Sequence, residues 1–147
     1  MNFEIKGGNL PVVTVTLNSG ESMFTESGGM SWMTENIRME TNTKGGLMKG
    51  LRRTLAGDSL FMTTYTAEQN NSQISFCSSY PGEIKALTLQ KGQSIICQKS
   101  SFLAGESTLD VDMYFKKILG SAFLVGKVLS CKNYRDRERP LSRWMAR

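Results

Sequence analysis

At 147 residues and 16.4 kDa the chain has material for one ordinary core, and its 39% apolar and 21% charged residues argue against both a disordered polyampholyte and a membrane protein. The sequence contains no histidine, which removes histidine general acid–base catalysis, histidine metal ligation and every Ser-His or Cys-His nucleophile. The net charge of +5 is local: residues 1–122 hold eleven Lys and Arg against eleven Asp and Glu, whereas residues 123–147 hold seven against two.

Met1 to Lys6 includes Glu4 and is followed by no apolar run, which argues against a secretory signal. The longest uncharged apolar stretch near the end, Ile118 to Gly126, falls far short of the ~20 residues a spanning helix needs. The expected localisation is cytoplasmic. Val13, Val15 and Leu17 then alternate with Thr14 and Thr16, the pattern of a strand with one buried face. Leu47, Leu51 and Leu55 recur at four-residue spacing beside Arg52 and Arg53, and Gly57 follows as a stop, so one short amphipathic helix is expected near 47–56. Further on, Ile74 and Phe76 flank Ser75, Ile84 precedes Leu87 and Leu89, and Leu109, Val111 and Met113 alternate with Asp110 and Asp112. Gly, Asn and Ser clusters punctuate these runs at Asn18-Ser19-Gly20, Ser27-Gly28-Gly29, Asn70-Asn71-Ser72 and Tyr80-Pro81-Gly82. Short strands at regular spacing predict a mostly β sandwich or barrel.

A turn recurs through this body. Gly20-Glu21-Ser22-Met23-Phe24, Gly57-Asp58-Ser59-Leu60-Phe61 and Gly92-Gln93-Ser94-Ile95-Ile96 stand 37 and 35 residues apart. Glycine supplies the turn conformation, the acidic residue is expected in solvent, and the small serine leads into a strand. The domain reading is a β-rich unit over 1–122 with approximate 36-residue repeats, followed by a basic tail over 123–147 that is poorly ordered or non-native.

Candidate chemistry is sparse. Cys77, Cys97 and Cys131 have no Cys-x-x-Cys spacing, so they read as strand residues rather than a zinc or redox site. Asp110 and Asp112 share a strand face, and apolar flanks favour solvent over a shared cation. Gly45 to Gly50 has phosphate-loop spacing, but Leu51-Arg52 stands where Lys and Ser or Thr would do the binding. Leu47, Met48, Lys49, Arg52 and Arg53 form a possible partner-binding surface, against the commoner role of a loop and helix closing one end of a barrel. Trp32, between Met30 and Met33, reads as core rather than as pocket lining. No catalytic, cofactor or metal site is assigned.

The opening Phe3-Glu4-Ile5-Lys6-Gly7-Gly8-Asn9-Leu10-Pro11, then Gly28-Gly29-Met30-Ser31-Trp32-Met33, Gly45-Gly46-Leu47, Leu55-Ala56-Gly57-Asp58-Ser59-Leu60-Phe61, Tyr80-Pro81-Gly82-Glu83-Ile84 and Ile95-Ile96-Cys97-Gln98-Lys99, resembles the altered inheritance of mitochondria (mitochondrial biogenesis) family and its bacterial relatives. The resemblance covers residues 3 to about 120. It implies a double-stranded β-helix like that of the tryptophan RNA-binding attenuator protein, built from short antiparallel strands, and it implies no reaction. Relatives continue past Lys117 with a glycine-rich strand block of the form GGEGFILQK, where this chain runs into Phe123 and the basic tail. Synonymous codons for Phe123 to Arg147, read one base earlier, permit the peptide LLGGEGFILQKLSGPGTAFVEMDGS, which contains that block. The expectation is a frameshift near Gly120.

The functional expectation is a non-enzymatic β scaffold or interaction protein, self-associating or binding a protein partner, without cofactors. A small-ligand binding protein of cupin-like architecture is the alternative, although such metal sites normally draw on histidine. Third comes non-specific binding of an anionic surface or nucleic acid through the basic tail. Specific nucleic-acid recognition is not expected, and peripheral membrane contact stays open.

Overall fold

The structure is a computed structural model that describes residues 1–26, 28–43, 61–114, 128–133 and 141–146. Among them the strands run in chain order as β1 (Asn2–Lys6), β2 (Val12–Leu17), β3 (Ser22–Glu26), β4 (Met30–Met33), β5 (Ile37–Thr43), β6 (Phe61–Ala67), β7 (Ser72–Cys77), β8 (Lys85–Gln90), β9 (Ser94–Gln98), β10 (Phe102–Glu106), β11 (Leu109–Tyr114), β12 (Val128–Asn133) and β13 (Leu141–Ala146). The β pattern expected from alternation is present. In β2 the side chains of Val13, Val15 and Leu17 are fully buried, while Thr14 and Thr16 lie half-buried on the other face.

The strands form three sheets, ordered β1-β2-β7-β4, β5-β6-β3-β10-β13-β8 and β11-β12-β9, with antiparallel pairing throughout. The six-stranded sheet is the middle layer. On one face it packs Met23, Tyr65, Leu103 and Met145 against Val13, Val15, Ile74 and Phe76 of the four-stranded sheet. On the other it packs Phe24, Met62 and Phe102 against Leu109 and Val111 of the three-stranded sheet. Consecutive residues Met23 and Phe24 therefore enter different cores, the consequence of a two-residue side-chain period in a sheet covered on both sides. Burying each such side chain stabilises the fold by about 1.5–3 kcal/mol. A bulge between Phe102 and Ala104 turns both Leu103 and Ala104 toward the first core.

Two of the three glycines that open the expected recurring turn lie among the described residues. Gly20 and Gly92 have φ of 80° and 78°, a left-handed conformation that a Cβ would strain. Gly20 lies between β2 and β3, which belong to different sheets, and Gly92 lies between β8 and β9, which also do. Gly57 lies outside the described residues, as does the helix expected near 47–56. The helical element among the described residues is a 3₁₀ turn, Lys99–Ser101. Within the basic segment, β12 pairs with β11 and β9, and β13 pairs with β10 and β8.

Candidate interaction surface

The expected partner-binding residues Leu47, Met48, Lys49, Arg52 and Arg53 lie outside the described residues. The described surface draws attention to a strand edge instead. Among the described residues β1 pairs with β2 alone, and its register sets Phe3 opposite Val15 and Ile5 opposite Val13. Phe3 and Ile5 thus belong to the apolar face of the sheet and are 37% and 38% exposed, and among the described residues no strand lies beyond β1. Glu4 and Lys6 alternate with them on the outer face, their side chains 2.9 Å apart and largely in water.

The apolar exposure continues at the end of this sheet. Leu10 and Tyr80 are 58% and 67% exposed. Their loops run side by side: the Ser78 N–H donates to Pro11 O at 3.3 Å and the Gly82 N–H to Asn9 O at 3.0 Å. The Ser78 hydroxyl also donates to Tyr80 O at 2.7 Å, fixing the turn that displays the ring. Sequence reasoning missed this surface because Phe3 to Leu10 were read as a motif. The alternation of Phe3 and Ile5 with Glu4 and Lys6 was the available signal.

On the outer face of the same sheet, register aligns Glu4, Thr14, Ser75 and Trp32 across all four strands. The Thr14 and Ser75 hydroxyls share a hydrogen bond of 2.7 Å. Trp32 departs from its expected core position and is 46% exposed. A bulge between Met30 and Trp32 turns the indole outward, while Met30 and Met33 pack against the core. Trp32 stands on β4, the opposite edge of the sheet from β1.

The remaining polar groups do not converge on one site among the described residues. Cys77 and Cys97 are half-buried and lie in different sheets, and the Ser31 hydroxyl lies 2.7 Å from the Cys77 sulfur. The backbone of Cys131 lies opposite Ile95 and Val111. Asp110 is exposed while Leu109 and Val111 are buried, as the alternation requires. No group of three or more metal-ligating side chains occurs among the described residues. Glu21, expected in solvent, is buried: its carboxylate accepts the Asn18 N–H at 2.9 Å and lies 3.4 Å from the Met1 ammonium, which compensates its charge. An open cleft of about 700 Å³ lies between the β4–β5 and β6–β7 turns, lined by Thr34, Glu35, Asn36, Glu68 and Gln69. The Glu68 N–H donates to Asn36 O at 2.9 Å, and the Thr34 hydroxyl donates to Asn36 Oδ1 at 2.6 Å, so its walls are braced by their own polar groups. No helix among the described residues is long and apolar enough to cross a membrane.

Comparison with known proteins decides the family. The model of the mitochondrial biogenesis AIM24 family matches residues 3–134. The chain belongs to that family. An AIM24-family chain of this kind is similar to an uncharacterized protein of Streptococcus pyogenes serotype M6, at 27% identity over 135 residues, covering 86% of this chain and 53% of the relative. A crystal structure of a second Streptococcus pyogenes protein superposes with a TM-score of 0.72 at 24% identity, covering 99% of this chain and 63% of the other. That likeness shows the shared β fold. The chain spans about half the length of the curated relative it matches.

Proposed function

We propose that the chain is a non-enzymatic β scaffold of the cytoplasm that acts by associating with itself or with a protein partner. The observation that carries this reading is the β1 edge, where the apolar pair Phe3 and Ile5 and the neighbouring Leu10 and Tyr80 are exposed beside an edge with no strand on its outer side among the described residues. Such edges are templates for pairing with another chain. The two cores of buried apolar side chains among the described residues support a structural role for the interior. The finer architecture, a double-stranded β-helix like that of the attenuator protein, belongs to the same proposal. Its support is the recurring left-handed turn at Gly20 and Gly92.

The open cleft favours the second reading, a small-ligand binding protein. Metal analysis of the purified chain together with a thermal-shift screen against metabolite classes separates the two. Stoichiometric metal, or a large shift with one class of compound, contradicts the scaffold reading; concentration-dependent association without either supports it.

The frameshift near Gly120 is part of the same account. The alternative reading would lay its GFILQK block over positions 128–133, the positions of β12, with its Phe and Leu opposite Cys97 and Ile95. Those two residues pack against the second core, where apolar partners are expected.

A further inference from the structure

We infer that the cleft between the β4–β5 and β6–β7 turns, together with the exposed indole of Trp32 beside it, binds a neutral saccharide. The inference rests on the small-ligand reading of that cleft and gives it a chemical class. It is compatible with association of the chain, since a ligand near its dissociation constant stabilises a fold only slightly.

The cleft stands on fixed backbone. Thr34, just past β4, donates its N–H to Gln73 O at 2.9 Å, and its hydroxyl oxygen accepts the Gln73 N–H at 3.1 Å. On the facing wall the Glu68 backbone is held at both ends: its N–H donates to Asn36 O at 2.9 Å and its O accepts the Ser19 hydroxyl at 3.1 Å. The buried Ser72 hydroxyl donates to Gln69 O at 2.7 Å. The backbones of the two turns thus hold each other in place. The exposed side chains of Glu35, Glu68 and Gln69, by contrast, make no hydrogen bond or ion pair among the described residues.

The class of ligand follows from what lines the cleft. Carboxylates accept hydrogen bonds and carboxamides both donate and accept, a set that matches a ring of hydroxyls. Among the described residues the lining includes Glu35 and Glu68 but no Lys or Arg, which disfavours phosphates and other anions. No aliphatic or aromatic side chain lines it either, which disfavours a lipid. Trp32 supplies an apolar plane at one side: it precedes Thr34 by two residues, about 7 Å of extended chain, and is 46% exposed with the polar Ser75 opposite it on β7. A pyranose ring combines a C–H face that stacks on an indole with hydroxyls around its rim. An organic cation would use the carboxylates and the indole but leave the Asn36 and Gln69 amides idle, and charge pairing at exposed carboxylates is worth little.

The test is saturation-transfer NMR on the full chain with glucose, galactose, mannose, N-acetylglucosamine, cellobiose, lactose and chitobiose, and in parallel with glucose 6-phosphate, putrescine and arginine. Transfer to at least one neutral saccharide is expected, and none to the sugar phosphate. Trp32→Ala should raise the dissociation constant about tenfold and Glu68→Ala about fivefold, whereas Trp32→Tyr, which keeps an aromatic plane, should retain most of the affinity. Both positions are exposed, so these variants leave the cores intact. Saccharide binding that none of the variants weakens lies elsewhere and overturns the site. Transfer to putrescine or arginine in place of the saccharides overturns the inference by making the cleft a cation site. No transfer to any saccharide, with a thermal shift for another class of metabolite, overturns the saccharide and leaves the small-ligand reading standing; no response to any class overturns both.

Discussion

Tyr65 and Phe76 meet edge to face, their ring centroids 6.2 Å apart at 72°, and so join the six-stranded sheet to the four-stranded one. Behind them, Phe24 and Phe102 stack at 5.6 Å and 22° on the other side of the middle sheet. Each core thus has its own aromatic pair, and sheet stacking is the element that presents β1 and β4 as the edges of an outer layer.

Truncating either pair is expected to lower stability substantially. Phe76→Ala and Phe24→Ala each remove a fully buried ring and should reduce the unfolding free energy by about 3–5 kcal/mol, read from urea denaturation midpoints. Trp32→Ala, at the exposed edge, should change it by no more than about 1 kcal/mol. An equal loss at Trp32 would show that the indole is a core element after all.

Burial pushes the Tyr65 phenol above its ordinary value of 10.0, and a hydrogen bond with Thr63 offsets part of that shift. Because the folded state holds the proton more tightly than the unfolded chain, the stability this residue contributes is fully present below pH 10 and is lost as the pH rises through the raised value. Tyrosinate absorbance during an alkaline titration should show one phenol ionising later than the rest. In Tyr65→Phe that late component should disappear and the alkaline loss of stability should shrink.

Two glycines make opposite demands on a methyl group. A Cβ at Gly105 would lie 3.1 Å from both Leu109 Cδ1 and Phe24 Cζ, so Gly105→Ala should overpack the second core and destabilise by about 1–3 kcal/mol. Gly20 has open space around it but a φ of 80°, so Gly20→Ala should cost about 1 kcal/mol through the backbone alone. Relaxing Phe24 to Leu should rescue Gly105→Ala and leave Gly20→Ala unchanged, which thermal or urea unfolding of the double variants would report.

The frameshift account predicts that source DNA sequenced across codons 110–150 will show an open alternative frame encoding LLGGEGFILQK at codons 123–133. A chain made from that frame should resist urea better than the present one, since its apolar residues would fall at core-facing positions of β12. Confirmation of the present frame would instead make the basic segment a native part of the chain.

Legibility in the sequence followed exposure. Strands β2 and β11 could be read from alternation because one face of each meets polar surroundings, as Thr14 and Asp110 show. In the middle sheet the Gly20 turn and the Leu87 and Leu89 pair marked β3 and β8, but Met23-Phe24-Thr25 and Phe102-Leu103-Ala104 show no alternation, since these continuous buried runs are covered on both faces and the period vanishes. The turn at Gly20 was legible because glycine alone accepts its conformation readily, but the burial of Glu21 was not. Its compensating contact with the Met1 ammonium comes from twenty residues away, and no local pattern encodes it. Trp32 misled for a related reason, a one-residue bulge that reverses which face the side chain takes. The surface at β1 was hidden in plain alternation, because a strand edge is defined by what does not pair with it.

The central claim, a scaffold that works by association, is tested most directly by the mass of the wild-type chain in solution. Light scattering across about a hundredfold range of concentration should show mass rising from monomer to dimer. A constant monomer mass across that range, with a stoichiometric metal or one metabolite bound, would contradict the scaffold and leave the ligand-binding reading in its place.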